Sequence, residues 1–184
     1  MNENDEYWVA RAQAGDSEAF EHLVRRHQRG VYAFCRRLTG SHDEADDIAQ
    51  EAFVRAYRSM DRFRGESRFG TWLRQIALNL VRSRARRKRR FPLVSLDPDT
   101  LPSDAATGTA PGQPGGDLDP LRSRLLRATV CELPEKQRRT LVLKIYEEMT
   151  HAEVARLMGC TIGTVKANLF HALRRLRRQL GDRR

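Results

Sequence analysis

The chain has 184 residues, a formal net charge of +10 and a sequence pI of about 10.3. Its length suits one large or two small domains, and its positive charge points to a polyanionic partner. The three cysteines, Cys35, Cys131 and Cys160, lack CxxC spacing, which argues against a disulfide framework or a metal site. The chain has no apolar run near the ~18 residues of a membrane helix, and its acidic start is unlike a signal peptide. We therefore expect a cytoplasmic protein without membrane insertion.

Charge and proline content divide the chain. Residues 61–91 hold eleven basic and two acidic side chains, and 121–184 hold fifteen and six, so each block has a net charge of +9. Between them, 92–120 contains five acidic and no basic residues, six of the seven prolines and four glycines. Such a segment cannot bury enough apolar area to offset its ordering entropy. The sequence predicts domains at 1–91 and 121–184, joined by a flexible acidic linker at 92–120.

The first domain is predicted to be all-helical. Asp16 is placed to cap a helix whose apolar residues recur at helical spacing. Ser41 begins a second helix, and the acidic residues of its first turns suit the positive end of the helix dipole. After a loop, Thr71 is predicted to cap a third helix that runs into seven cations within Arg82–Arg90. No segment shows a strand-like alternation long enough to matter, so the predicted fold class is all-α.

The second domain is predicted to contain four helices. Leu121–Cys131 has an apolar side at helical spacing, and Leu133-Pro134 ends that helix. Residues 135–148 form the next helix, with Ile145 turned inward. The remaining two helices form a helix-turn-helix.

This helix-turn-helix is the most informative segment of the sequence. Thr150 and Thr161 can each cap a helix, and Gly159 between them can take the positive φ of a tight turn. The apolar stripe of the second helix consists of Ile162, Val165, Leu169, Ala172, Leu173, Leu176 and Leu180. Its outward face has the composition that a helix needs in a major groove, with Thr164, Lys166, Ala167, Asn168, Phe170 and His171. The alternative is an ordinary helical hairpin with a solvated face.

The loop and helix at 62–90 mix aromatic and basic residues. Single-stranded nucleic acid needs this mixture, because cations neutralise phosphates while aromatic faces hold unstacked bases. The aromatic residues are Phe63, Phe69 and Trp72, interleaved with Arg62, Arg64 and Arg68. The helix that follows offers Arg74, Gln75, Asn79 and Arg82 on a broadly shared polar face. The alternative is that the three aromatic side chains belong to the core.

The helix at 43–58 has one apolar face and one mixed, acidic face. An acidic surface beside two basic ones is better suited to docking on a protein than on DNA. The alternative here is an ordinary solvated face, and the physics of the residues alone favours that alternative.

Three segments together resemble a known family. The first is 43–58, Asp-Glu-Ala-Asp-Asp-Ile-Ala-Gln-Glu-Ala-Phe-Val-Arg-Ala-Tyr-Arg. The second is 63–79, Phe-Arg-Gly-Glu-Ser-Arg-Phe-Gly-Thr-Trp-Leu-Arg-Gln-Ile-Ala-Leu-Asn. The third combines Leu133-Pro-Glu-Lys-Gln-Arg with Glu153-Val-Ala and Gly163-Thr-Val-Lys. In this order they resemble the extracytoplasmic-function (ECF) subfamily of RNA polymerase sigma factors, over nearly all of the chain except the linker.

The resemblance implies a role for each segment. The 43–58 helix would dock on the clamp helices of the largest subunit of core RNA polymerase, through Asp47, Gln50, Glu51 and Arg55. The 62–82 segment would recognise and melt the promoter −10 element and capture an unstacked base, through Arg64, Ser67, Phe69, Trp72, Gln75, Asn79 and Arg82. The helix-turn-helix would read the duplex −35 element through Thr164, Lys166, Ala167, Asn168, Phe170, His171 and Arg174.

The resemblance also implies an anti-sigma partner and a linker that threads along the polymerase channels. Ala167 and Asn168 stand where more basic family members have stronger donors, so the preferred −35 sequence does not follow from the family.

No catalytic role is predicted, because the sequence contains no nucleophile–base pair, phosphate-binding glycine loop or metal motif. We therefore expect no cofactor. Two alternatives remain. A dimeric helix-turn-helix regulator would carry a ligand or dimerisation domain at its N-terminus. A nucleic-acid enzyme could use Asp43, Asp46 and Asp47, but these lie at one helix start and lack partners elsewhere in the sequence.

Overall fold

The computed structural model describes residues 5–90 and 120–181. The chain separates into two compact units: Met1–Arg36 with Ser41–Gly112, and Gln113–Arg184 with the short segment Arg37–Gly40. Every regular element within the described residues is helical, so the all-α fold class is confirmed. The predicted linker, apart from Pro120, lies outside the described residues. None of the described helices is long and apolar enough to cross a membrane.

The first unit is built from four helices and a short 3₁₀ turn. These are α1 (Asp5–Gln13), α2 (Ser17–Thr39), α3 (His42–Arg58), the 3₁₀ turn (Met60–Arg62) and α4 (Phe69–Arg90). The helix α1 is an element that the sequence analysis did not predict.

The helix starts of the first unit test the predicted caps. Asp16 Oδ1 accepts a hydrogen bond from the Ala19 N–H at 3.1 Å, which confirms this cap. Ser41, predicted only to begin a helix, also caps it, because its Oγ accepts a hydrogen bond from the Glu44 N–H at 3.4 Å. The prediction that Thr71 caps α4 was wrong. The helix already begins at Phe69, and the Thr71 N–H donates to a main-chain oxygen, that of Arg68, at 2.9 Å.

The core of the first unit lies where α2, α3 and α4 meet. Its largest side chains are 2 % exposed or less: Leu23, Phe34, Ile48, Phe69, Leu73, Leu78 and Leu80. Cys35 is also fully buried, and burial raises the pKa of its thiol to about 12. This thiol therefore stays protonated and acts as a small apolar side chain.

The second unit contains α5 (Pro120–Cys131), α6 (Glu135–Leu141), a π-helical turn (Val142–Tyr146), α7 (His151–Met158) and α8 (Ile162–Gly181). Its core cluster consists of Val130, Leu133, Leu141, Ala172 and Leu176, with Leu126 and Leu169 packed against it.

The π-helical turn changes the register that was predicted for 135–148. The Glu147 N–H donates to the Val142 carbonyl, five residues back, at 3.2 Å. One wide turn rotates the residues within it relative to an α-helix. Ile145 is consequently 48 % exposed, and the prediction that it turns inward was wrong.

The helix-turn-helix forms as predicted. Thr150 Oγ1 accepts from the Glu153 N–H at 3.2 Å, and Glu153 Oε2 accepts from the Thr150 N–H at 2.7 Å, which is a complete capping box. Gly159 ends α7 with a φ of 62°, and Thr161 Oγ1 accepts from the Thr164 N–H at 3.2 Å. The hydrogen bond from the Thr150 backbone lowers the pKa of Glu153.

The predicted apolar stripe of α8 is narrower in the structure. Val165, Ala172 and Leu176 are buried, whereas Ile162 and Leu173 are 45 % and 37 % exposed. Ile162 and Leu173 lie at the edges of the apolar stripe, and only its centre is covered by the other helices of the unit.

We predict that Thr150→Ala lowers the free energy of unfolding of the second unit by about 1 kcal/mol, because the Glu153 N–H loses its acceptor. Thr150→Ser keeps the hydroxyl and should retain most of the stability. Urea denaturation followed by circular dichroism measures both.

Since the pKa of Glu153 is lowered on folding, the capping box stabilises the fold above about pH 4.5 and loses this effect on acidification. Equal stability of Thr150→Ala and wild type would contradict this role.

Candidate polymerase and nucleic-acid interfaces

The acidic face of α3 is exposed and internally paired. Asp47, Gln50 and Arg55 are exposed, and Glu51 is partly exposed on the same side of the helix. Glu51 Oε1 accepts a hydrogen bond from Arg55 Nη2 at 2.6 Å, and Gln50 Nε2 donates to Asp46 Oδ2 at 2.8 Å. The four predicted docking residues therefore form one surface with ordered carboxylates.

Arg84 of α4 joins this surface, although the sequence analysis did not single it out. Its Nη1 lies 3.3 Å from Asp47 Oδ2, and its Nη2 lies 3.2 Å from Glu51 Oε2. Charge alone does not identify which arginine of this run turns toward α3. Helical spacing could have identified it, because position 84 lies four residues after Leu80 and continues the buried stripe of Leu73, Ala77 and Leu80.

Three aromatic rings pack together where the loop enters α4. The ring centroids of Phe63 and Trp72 are 4.9 Å apart, those of Phe69 and Trp72 are 5.8 Å apart, and those of Phe63 and Phe69 are 6.0 Å apart. Phe63 is 8 % exposed and Phe69 is 2 % exposed, whereas Trp72 is only partly buried.

Phe69 requires a correction. It was predicted to contact the −10 DNA, but its ring is buried between Trp72 and His27, whose ring centroid lies 5.4 Å away. Burial of this apolar ring in the core is favoured over its exposure to water by the hydrophobic free energy of transfer. The alternative that the aromatic side chains belong to the core is thus correct for Phe63 and Phe69. Of the three, Trp72 alone keeps a partly accessible ring.

The polar residues predicted for the −10 surface lie on the loop and along one stripe of α4. Arg64 and Ser67 are exposed on the loop. Trp72, Gln75, Asn79 and Arg82 follow at steps of three, four and three, which places them on one face of the helix. Gln75 and Asn79 are exposed and Arg82 is partly exposed. The structure thus brings the predicted set together, with Phe69 beneath the surface rather than on it.

Two contacts that sequence reasoning missed fix the entry into α4. Gln13 Nε2 donates to the carbonyl oxygens of Phe63, at 2.6 Å, and Met60, at 3.2 Å, and so fastens the 3₁₀ turn to α1. Gly70 packs so closely that an added Cβ would lie 3.2 Å from the ring of His27. Neither contact has a sequence signal, because α1 lacks a pronounced apolar periodicity and both pairings are long-range.

The outward face of α8 is exposed almost as predicted. Thr164, Lys166, Ala167, Phe170, His171 and Arg174 are all exposed, Phe170 by 62 %. A lysine can donate to the acceptors of a guanine edge, and a threonine hydroxyl can bond to either a donor or an acceptor on a base. An apolar ring can contact the methyl group of thymine. Asn168 differs from the others, because its Nδ2 is inaccessible and has no hydrogen-bond partner in the described residues.

Comparison with known proteins places these surfaces in a family. Family models for Sigma-70 region 2 and Sigma-70 region 4 match residues 23–91 and 123–176. The chain is 33 % identical to the ECF RNA polymerase sigma factor SigW of Bacillus subtilis, over 95 % of each chain. It is also 33 % identical to the ECF sigma-E factor of Escherichia coli, over 91 % of this chain and 90 % of that one. The chain belongs to the ECF sigma factors.

A solved structure supports the same fold. The sigma factor RpoE of Bartonella quintana, determined in complex with the anti-sigma factor NepR, superposes with a TM-score of 0.67 at 26 % identity. The match covers 90 % of this chain and 98 % of that one. The region 2 match contains α3 and α4 with the acidic face and the aromatic cluster, and the region 4 match contains the helix-turn-helix.

We predict that Phe69→Ala lowers the free energy of unfolding of the first unit by about 3–5 kcal/mol, because a buried ring is replaced by a cavity. Ser67→Ala, an exposed change on the same loop, serves as the matched control and should stay within about 0.5 kcal/mol of wild type. Urea denaturation measures both values. A Phe69→Ala protein as stable as the control would mean that this ring is not part of the core.

Proposed function

We propose that this sigma factor binds core RNA polymerase, directs it to specific promoters through −35 and −10 elements, and promotes DNA melting at the start site. The observation that carries the proposal is that one chain combines an ordered acidic face on α3, an aromatic–polar stripe on α4 and an exposed helix-turn-helix. Region 2 function is assigned to 1–91, region 4 function to 121–184, and the linker at 92–120 threads along the polymerase channels. RNA synthesis belongs to the polymerase, so the chain is not itself an enzyme, and it acts in the cytoplasm.

The α3 face is proposed to dock on the clamp helices of the largest polymerase subunit. Asp47 is 68 % exposed, and its carboxylate is available to a basic partner despite the contact with Arg84. Gln50 and Arg55 supply hydrogen-bond donors on the same side. Partly exposed charge pairs contribute little stability by themselves, so Asp47, Glu51 and Arg55 can exchange partners at small cost.

The α4 stripe is proposed to hold the opened −10 element. Loss of stacking costs roughly 1.4 kcal/mol per base-pair step. A base stacked on an aromatic side chain recovers about 1–3 kcal/mol. Trp72 offers the ring, Gln75 and Asn79 address base edges, and Arg64, Ser67 and Arg82 contact the backbone.

The face of α8 is proposed to read the −35 element as duplex DNA. Lys166, Phe170 and His171 reach base edges or the groove wall, together with Thr164 and Ala167. Arg174 contributes a phosphate contact. Asn168 is retained as a contact through its Oδ1, since its Nδ2 is inaccessible.

An anti-sigma factor is proposed as a further partner. The support is the Bartonella quintana sigma factor, which was solved in complex with the anti-sigma factor NepR and shares 26 % identity with this chain. Such a partner would keep the chain from the polymerase until a signal releases it.

Reconstituted transcription tests the proposal. Purified chain added to core RNA polymerase should produce discrete run-off transcripts from genomic fragments, whereas core alone should not. Lys166→Ala should lower the yield from promoters that depend on a −35 element about tenfold, which corresponds to the ~1–3 kcal/mol of one base contact. Lys144→Ala in the same unit is the matched control. Both variants should bind core with wild-type affinity, and loss of core binding in Lys166→Ala would show that α8 was assigned wrongly.

Trp72 allows a separate test of melting. Trp72→Ala should reduce permanganate reactivity of −10 thymines about fivefold or more, because one stacking contact is lost. Trp72→Phe keeps a ring and should retain much of the reactivity. Duplex binding by region 4 and the circular dichroism spectrum should be unchanged in both variants. Normal open complexes with Trp72→Ala would remove this residue from the melting mechanism.

A further inference from the structure

A basic groove lies in the second unit, between α8 and α6. It has a volume of about 450 Å³ and is lined by Gln137, His171, Arg174, Arg175 and Arg178. No carboxylate is among the lining side chains. In the described part of the chain, the three arginines form neither an ion pair nor a hydrogen bond.

These arginines differ from others in the same unit. Arg139 pairs with Glu135, and Arg138 donates to the Cys131 carbonyl oxygen at 2.6 Å. Cations that converge on one groove without an acid repel each other, and an anion placed between them removes that repulsion. The groove therefore has the charge of an anion site, and within residues 120–181 its arginines have no acceptor.

Gln137 adds a neutral group to the groove. Its Oε1 is inaccessible and has no hydrogen-bond partner within the described residues. An inaccessible atom cannot contact an ion, so the amide of α6 meets an anion in the groove through its other end, the Nε2 donor, which is not among the inaccessible atoms. The anion would then accept from this amide as well as from the arginines of α8.

The groove continues the DNA-reading face of α8. Ala167, His171, Arg174 and Arg178 are separated by four, three and four residues, so they form one stripe along the helix. The 20 residues of α8 span about 30 Å, whereas a major groove is about 12 Å wide. When the first turns of α8 lie among base edges, its last turns extend beyond the groove, where the anions that DNA offers are backbone phosphates.

We propose that Arg175 and Arg178, with Gln137, bind a backbone phosphate of the duplex that flanks the −35 element. The inference rests on the proposed function and extends it, because Arg178 lies beyond the residues matched by the region 4 model. The site supplies affinity without sequence preference, since a phosphate is the same at every base pair.

The test compares adjacent arginines in the full-length chain. Arg178→Ala and Arg175→Ala are measured against Arg177→Ala, which removes the same charge one residue away but does not line the groove. The probe is a duplex that carries the −35 element of a promoter identified by run-off transcription. Its dissociation constant is measured from low to moderate salt.

Arg178→Ala should bind about three- to tenfold more weakly, and its slope of log K against log salt should fall by about 0.9, as expected for one lost phosphate contact. The same loss should appear on a duplex with a scrambled −35 element. Arg177→Ala should keep the wild-type slope.

Replacement of single phosphates by neutral methylphosphonates locates the contact. One position beside the −35 element should weaken wild type, and the same replacement should have no further effect on Arg178→Ala. Inorganic phosphate at millimolar concentration should not compete, since a single free ion lacks the rest of the interface.

The outcomes separate the two proposals. If wild type does not bind the promoter duplex specifically, the proposed function fails. If wild type binds and Lys166→Ala loses specificity, but Arg178→Ala and Arg177→Ala have equal affinities and slopes, the phosphate site is refuted alone. It is also refuted if Arg178→Ala impairs only transcription by the holoenzyme, which would assign the groove to an acidic surface of the polymerase.

Discussion

The packing of α3 against α4 is the constraint on which the first unit depends. Small side chains on α3 let the two helices approach closely, and the face buried against the unit consists of Ala45, Ile48, Ala49, Ala52, Phe53 and Ala56. The acidic face of α3 and the α4 stripe proposed to hold the −10 element are thereby carried on neighbouring, directly packed helices. Arg84 adds a polar contact across the pair. A polymerase bound to α3 would consequently fix the position of α4 as well. No flexible connection between the two helices would have to be ordered on binding, so that entropy cost would be avoided.

The aromatic cluster fixes the loop before α4, which is proposed to face DNA. Phe63 and Phe69 are buried, and they support the ring of Trp72 from below. Gln13 holds the preceding turn through two carbonyl oxygens. A ring that is already fixed loses little side-chain entropy when a base stacks on it. More of the stacking energy is then available to offset the opening of the duplex.

Local signals in the sequence were sufficient for much of the fold. The caps at Asp16, Ser41 and Thr150 depend on residues within one turn, and the positive φ of Gly159 follows from its position between two helices. The docking residues and the α8 face follow from helical spacing combined with the family resemblance.

Features that depend on long-range packing could not be predicted from these local signals. The helix α1 is held by contacts with distant residues such as Phe63, and periodicity alone does not reveal it. The π-helical turn at Val142–Tyr146 alters the register by one residue within an otherwise regular pattern, so Ile145 was assigned to the wrong side. Burial of Phe69 and the turn of Arg84 toward α3 are likewise decided by which helix packs against them.

The distribution of partners among the arginines shows why net charge alone describes this protein poorly. Arg84 faces two carboxylates, and Arg138 and Arg139 are engaged within their own unit. The arginines on the last turns of α8 face no acid in the described residues and remain available to phosphates. In the proposed assignment, sequence discrimination falls to the first turns of α8, where few groups can reach base edges, while the arginine-rich end adds affinity that is insensitive to sequence. This separation would let one helix combine strong binding with a recognition face whose residues can change without loss of the electrostatic contact.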